Sequence, residues 1–292
     1  MNEALQTHLR TGLTTLAHAW AIARKDGVVL GFTDHDRDLS FDEITFRADT
    51  GLSALSLAQS TGLSVDNTEA LGALSDLSIR EDEIEQGRFD GADVRAWLVN
   101  WRDVSQRALQ FRGTIGELRR GDGGFQAELR GLTEKLNRPL GRVYQKPCTS
   151  VLGDQTCGVN LNAPTFTTTA VIVSVDGGRL FQFNELPGYA TGWFARGRLD
   201  VENGSAQGLW GSIKEDRSDA GLRWVELWEP IRSPLLPGET VRLTAGCDKR
   251  SATCRAKFQN LANFQGFPDL PGDDWLMAVP KSSGRNTGGS LR

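Results

Sequence analysis

Histidine is nearly missing from this sequence: there are three in 292 residues, His8, His18 and His35. Chemistry carried by the rest of the chain must therefore do without imidazole. A basic surplus is missing too, since 33 Lys and Arg face 37 Asp and Glu for a net charge of -4. That leaves no excess to neutralise a phosphate backbone, and no direct nucleic-acid binding is expected. No run approaches the roughly 20 apolar residues that a membrane span requires, so no membrane anchor is expected. The opening MNEALQTHLRTGLTTLAHAW lacks the charged-then-greasy profile of a secretion signal, which predicts a chain folded in the cytoplasm. Cysteine is sparse, with four in 31.9 kDa. Four thiols in a reduced chain of this size do not make a disulfide framework, which leaves metal, catalysis or packing. A nucleotide fingerprint, a flavin loop and an internal repeat are all lacking.

What is present reads as mainly β, arranged as two β-rich domains with a few short helices. Leu9, Leu13, Leu16 and Trp20 recur at helical spacing and predict one opening helix that stops at Lys25-Asp26-Gly27. From Val28 the period shortens. GVVLGFT is a strand, LSFDEITFRAD a hairpin, Ser64 to Asn67 a turn, Glu81 to Glu85 a short helix and ADVRAWLVNW a strand. ALQFRGTIGELRR and GFQAELRGL flank Gly121-Asp122-Gly123-Gly124, a hairpin turn signal. LTEKLNRPLGRVYQ reads as a helix broken at Pro139. The expected organisation is an N-terminal β-rich domain over 1–135, a C-terminal β-rich domain over 136–280 that carries all four cysteines, and a flexible tail over 281–292. The second domain offers six strand candidates: FTTTAVIVSV, RLFQFNELPG, GWFARGRLDVENG, QGLWGSIKEDR, LRWVELWEPI and ETVRLTAGC. The last of these delivers Cys247 to a loop before a short helix, ATCRAKFQNLANF.

Cys148 and Cys157 stand as C-x8-C and Cys247 and Cys254 as C-x6-C, with the full set of strands between the pairs. All four fall in polar, glycine-bearing segments, PCTSVLGDQTCG and GCDKRSATCR, where a buried small hydrophobe is out of place. Structural zinc favours C-x2-4-C knuckles that grip one small ion. The wider spacings lean toward an iron-sulfur cluster, whose thiolates splay to separate irons, with zinc as the alternative. Arg142, Lys146, Lys249, Arg250, Arg255 and Lys257 lie close in sequence and could balance an anionic centre. Gly153, Gly158 and Gly246 could offer backbone N–H groups to sulfur.

These cysteine stretches, RGLTEKLNRPLGRVYQKPCTSVLGDQTCGV and GCDKRSATCRAKFQNLANFQGFPDLPGDDW, together with GFTDHDRDLSF and GRFDGADVRAWLVNW, resemble the tail hub proteins of phages and gene transfer agents. The likeness spans the chain except its C-terminal tail. That family looks related to the tail-tip proteins of long-tailed phages, in which a C-terminal cysteine domain holds a 4Fe-4S cluster. The resemblance implies Cys148, Cys157, Cys247 and Cys254 as cofactor and metal ligands, and it implies no catalytic residue. It further implies a structural, non-enzymatic protein of the tail tip or baseplate of a virion or gene transfer agent particle, folded in the bacterial cytoplasm. Such a protein is a homotrimer joining the distal tail protein ring to the tip or fibre-bearing protein.

Other features have plainer readings. Asp34, His35, Asp36 and Asp38 read as a connection whose side chains satisfy turn backbone. A Cys-dependent redox or cell-wall hydrolytic enzyme, with His35 as base, would leave both cysteine pairs without a purpose. Trp193, Trp210, Trp224 and Trp228 are expected in core or inter-strand packing rather than on a sugar-binding platform. Phe267 and Pro268 are expected to buttress the cysteine loop.

Overall fold

The computed structural model describes residues 3–48, 53–54, 67–73, 80–121, 124–131 and 141–270. The chain folds as two compact units, Met1–Pro139 and Leu140–Arg292.

In the first unit, α1 (Glu3–Arg10) is followed by β1 (Leu16–Ala23), β2 (Val29–Thr33), β3 (Leu39–Phe41), β4 (Ile44–Arg47), β5 (Ser53–Ala54) and β6 (Asn67–Ala73). Then come α2 (Glu81–Glu85), β7 (Asp93–Asn100), β8 (Arg107–Gly121) and β9 (Gly124–Gly131). The nine strands form one sheet in the order β3-β4-β2-β1-β7-β8-β9-β6-β5, antiparallel except for the β2–β4 pair. Asp42 and Glu43, both at positive φ, turn β3 into β4 in the manner of a tight primed hairpin.

The opening helix is shorter than its periodicity predicts. Gly12, at φ 72°, ends it, and the chain continues as a strand that pairs with β7 from Leu16↔Asn100 to Ala23↔Asp93. The reason is that β1 is central and buried on both faces. Ala17, Ala19 and Ala21 join Phe41, Phe46 and Trp97 in one cluster, while Trp20 and Ile22 join Phe32, Val94 and Phe111 in the other. Continuous burial removes the alternation that marks a strand and leaves apolar positions that mimic a helix. Leu13, one of the four helical markers, is 86% exposed.

In the second unit β10 (Thr167–Asp176), β11 (Leu180–Asn184), β12 (Arg198–Val201), β13 (Trp210–Asp219), β14 (Leu222–Leu227) and β15 (Thr240–Thr244) close into a barrel in the order β10-β11-β14-β13-β12-β15. Each matches one of the six strand candidates, β10 and β13 running past the C-terminal ends of theirs to Asp176 and Asp219. Phe181, Phe183, Leu199, Ile213, Val225, Leu227, Val241 and Leu243 point inward and are fully buried. Of the four tryptophans, Trp193 packs against this cluster while Trp210, Trp224 and Trp228 stay outside it. Trp210 and Trp228 are 55% and 59% exposed, and Trp193 and Trp224 are half-buried. The cause is parity: on β13 the inward positions are Gly211, Ile213 and, past a register shift, Asp216, and on β14 they are Arg223, Val225 and Leu227, so Trp210 and Trp224 face outward. Their faces are covered instead by Arg198 and Arg217.

After the barrel, the segment expected as one helix is two short pieces: α3 (Ser251–Ala256) and a single 3-10 turn, Leu261–Asn263. Gln259, at φ 49°, separates them. The turns at 64–66 and 122–123, the helix over 132–140 and the tail over 281–292 lie outside the described residues.

A four-thiol cavity at the exit of the barrel

The last barrel strand ends against a loop of the same unit, and glycine makes the approach possible. A Cβ on Gly246 would meet the carbonyl oxygen of Ala195 at 1.9 Å and the nitrogen of Gly197 at 2.4 Å. A Cβ on Gly197 would meet the carbonyl oxygen of Thr244 at 2.0 Å. With neither present, the Gly246 N–H donates to Trp193 O at 3.2 Å, and Cys247 follows at once. The 189–197 loop is itself held by a buried ion pair. Arg223 Nη2 and Nε donate to Asp216 at 2.7 Å each, Arg223 also donates to Tyr189 O and Ala190 O, and Asp216 accepts the Phe194 N–H at 2.8 Å.

The chain before the barrel and the chain after it are laced together through their backbones. Cys148 N–H donates to Lys249 O at 2.9 Å, and Phe267 N–H donates to Gln145 O at 2.9 Å. The Phe267 ring packs on Tyr144 at 4.8 Å, a buttress beside the Cys148 segment, as expected of it. Asn260 Nδ2 donates to Cys157 O at 2.6 Å. The Cys157 loop is capped by Asp154, whose carboxylate accepts the N–H of Cys157 at 2.7 Å, the Thr156 hydroxyl at 2.8 Å and the N–H of Val151 at 2.9 Å. The Cys157 N–H, then the Thr156 hydroxyl, hold that carboxyl below its ordinary range.

The result is a cavity lined by all four cysteines, Cys148, Cys157, Cys247 and Cys254, together with Leu152, Val159, Phe258, Phe264, Lys249 and others. Cys157 and Cys254 are buried, and Cys148 and Cys247 are half-buried. All four are free thiols. Two backbone amides donate to sulfur, Lys249 N–H to Cys247 Sγ and Gln265 N–H to Cys148 Sγ, each at 3.4 Å. Asn260 Nδ2 stands 3.8 Å from Cys157 Sγ, and the Cys254 thiol donates to Asn260 O at 3.3 Å. Burial pushes the Cys254 thiol up, and the charges of Cys247, Cys148 and Cys157 add to the rise, as four sulfurs sharing one space would cause.

Two of the three glycines expected in this role donate elsewhere. Gly246 N–H goes to Trp193 O and Gly158 N–H to Asp154 O. Lys249 and Gln265 supply the amides, and neither had a compositional signal. Of the basic side chains, Lys249 Nζ donates to Ser150 O and Lys257 Nζ to Trp193 O and Gly246 O, while Arg142 Nη2 reaches Gln265 O at 3.4 Å. Lys146 and Arg255 are exposed, and Arg250 lines the cavity with a largely exposed side chain. Burial pushes the Lys257 ammonium down to about 8, against the opposing charges of Cys247, Asp216 and Asp248.

In the first unit the DHDRD stretch is a set of turn-satisfying bonds. Asp34 accepts the N–H of His18 at 2.6 Å and approaches its Nδ1 at 2.8 Å, Asp38 accepts the N–H of Ala48, and His35 Nδ1 accepts the N–H of Arg37. The unit carrying the four cysteines has no histidine. Among the described residues, no group of three or more His, Cys, Asp or Glu is placed to hold a metal ion. The cavity has about 20 Å³ of free space, room for a water-sized body, so the fit of any larger group rests on its donors: four sulfurs and two amides aimed at sulfur.

Fold and site together define a two-unit, mainly β protein whose second unit is a closed barrel with a thiol-lined pocket at its exit. A family model described as "Baseplate hub protein, N-terminal attachment domain" matches residues 2–160, and one described as "Phage conserved hypothetical protein BR0599" matches residues 192–274. The chain belongs to the baseplate hub protein family. Among solved structures, a chain of "Virion of native gene transfer agent (GTA) particle" is similar over 100% of both chains, with a TM-score of 0.91 and 49% identity. No curated protein matches the chain.

Proposed function

We propose that this protein is a structural hub in the tail tip or baseplate of a phage-like or gene transfer agent particle, where it acts as a non-enzymatic homotrimer. It joins the distal tail ring to the tip or fibre-bearing protein. The second unit holds a structural 4Fe-4S cluster on Cys148, Cys157, Cys247 and Cys254. Family membership and the virion neighbour support the hub role. The observation that carries the cluster is the meeting of four cysteines, from both sides of the barrel in sequence, on one cavity.

Four cysteines on one cavity, in pairs spaced more widely than zinc knuckles, favour a cluster over a single zinc ion. When bound, such a cluster supplies four metal-sulfur bonds that clip the 148–157 segment to the 247–254 segment. The chain's own residues do the rest. Asp154 fixes the Cys157 loop, Gly246 lets Cys247 sit against the 193–197 loop, and the Lys249 and Gln265 amides stabilise thiolate. Closing the roughly ninety-residue interval from Cys157 to Cys247 is where a cross-link removes the most freedom from the unfolded chain.

Metal and sulfide analysis of the full chain purified without oxygen tests the cofactor. About four irons and four sulfides per chain, with broad visible absorption, are expected. Stoichiometric zinc, or bare thiols, would overturn the cluster while leaving the hub role intact. The hub role is tested separately by mass measurement of the isolated protein and by whether particles made without it lack their tail tip.

A further inference from the structure

Lys257 is an anomaly of the second unit. Its ammonium is enclosed by the ring of Trp193, 4.6 Å from the ring centre, and the ring of Phe258, at 5.3 Å. It donates to two backbone carbonyls, Trp193 O and Gly246 O, and among the described residues it forms no ion pair. The two carboxylates whose charge acts on it are otherwise engaged, Asp216 by Arg223 and Asp248 by Arg250. Removing a cation from water without an anion costs several kcal/mol, and carbonyl dipoles offset only part of that. A position of this kind implies a counter-charge elsewhere in the site. Gly246 O, which Lys257 holds, belongs to the peptide that leads into Cys247, and Phe258, the next residue, lines the four-thiol cavity.

We propose that Lys257 is the internal counter-charge of the four-thiolate centre and sets its reduction potential. The inference rests on the cluster reading above. A centre ligated by four thiolates is a net anion, and each electron added makes it more negative. A fixed cation held in a weakly screened interior favours the reduced form most, because Coulomb energy scales with the product of the charges. Arg250, with a largely exposed side chain, is screened, while Lys249, half-buried on the cavity wall, spends its ammonium on Ser150 O. Lys257, also half-buried, has its ammonium against two aromatic rings and is screened less than Arg250. It therefore tunes the centre from the protein side while tethering Cys247 through Gly246 O.

The test uses full-length protein purified without oxygen as wild type, Lys257→Gln, Lys257→Met and Lys257→Arg. The glutamine amide can still donate to a carbonyl, so it removes charge with the least structural loss. Potentiometric titration followed by electron paramagnetic resonance is the readout, with iron content and unfolding of the metal-free chains measured in parallel. A shift of both neutral variants to more negative potential is expected, with faster cluster loss in air, a wild-type-like potential for Lys257→Arg, and metal-free stability equal to or above wild type. Neutral variants with full iron and an unmoved potential would overturn the inference and leave the cluster standing. Neutral variants that destabilise the metal-free chain as much as the loaded one would overturn it in favour of a purely structural lysine. A wild type without iron would remove the cluster reading, and this inference with it.

Discussion

Asp216 and Arg223 meet inside the barrel with both side chains shut from solvent, 0% and 1% exposed, through two hydrogen bonds of 2.7 Å. They sit on neighbouring strands, and each has a further duty. Arg223 donates to the carbonyls of Tyr189 and Ala190, and Asp216 accepts from Phe194, so the pair fastens the 189–197 loop that Gly246 packs against. Burying two charges costs solvation that their hydrogen bonds must offset, so the pair's clearest contribution is its hold on that loop.

Truncating one partner leaves the other charge buried and uncompensated. Asp216→Ala is expected to destabilise the barrel unit by about 3–5 kcal/mol, with a smaller loss when Arg223→Met is added. Denaturant unfolding followed by tryptophan fluorescence measures both, since Trp193 is in the fastened loop. A double variant as damaged as the single one would show that the loop contacts, not the stranded charge, carry the cost.

Gly246 and Gly197 allow two backbones to touch. Gly246→Ala puts a methyl group into Ala195 O and the nitrogen of Gly197, neither of which is a side chain that can swing away. A cost at or above the usual 1–3 kcal/mol of overpacking is expected. Because Cys247 is the next residue, iron content after anaerobic purification is expected to fall as well. A variant with lowered stability and full iron would uncouple the glycine contact from the thiol site.

Much of this was readable in advance, and the misses share a cause. Short β-rich runs located the barrel strands, and their alternating burial shows one face inside and one outside. The cysteine pairs signalled a joint site by standing in polar loops. What failed was any reading that needed a third dimension. The run from Leu16 to Trp20 lost its strand signature by being buried on both sides. Trp210 and Trp228 read as core or inter-strand packing, and parity decided against the core: Trp210 faces outward under Arg198 of the paired strand, and the end of β14 leaves Trp228 exposed. Amide direction depends on φ and ψ and not on residue identity, so Lys249 and Gln265 rather than the glycines donate to sulfur.

In the first unit a second cluster of charges gives a pH signature. Burial alone would raise the Asp26 carboxyl, but hydrogen bonds from Arg24 and from the Val28 N–H, with the charges of Arg24 and Arg88, outweigh it and hold Asp26 below its ordinary value of 3.8. Arg24 is 7% exposed and also pairs with Glu83 at 3.0 Å, tying α2 to the β1–β2 connection. A carboxyl with a depressed folded-state pKa stabilises in full above the unfolded value and loses that contribution as pH falls through the folded one. Wild type is therefore expected to be more stable than Asp26→Asn at pH 6, with the gap shrinking as pH falls below the carboxyl's ordinary value of 3.8. A gap that stays constant down to pH 2 would assign the loss to hydrogen bonding alone.

The cluster reading makes its sharpest claim at Cys254, on the buried side of the cavity in α3. Serine is nearly the same size, so the packing around Phe258 survives, but its hydroxyl is a poor ligand for a sulfur-bound centre. If the centre joins the 148–157 and 247–254 segments, Cys254→Ser is expected to lower the thermal midpoint of the loaded protein by several degrees. It should leave the metal-free chain almost unchanged, because the cross-link acts on the loop it closes. Particles assembled with this variant are expected to be fewer, and those that form should carry a normal tail. Equal midpoints for loaded wild type and variant, with equal particle yield, would mean that the four thiols gather for packing and that the lacing of residues 145–149 to 249 and 265–267 suffices without them.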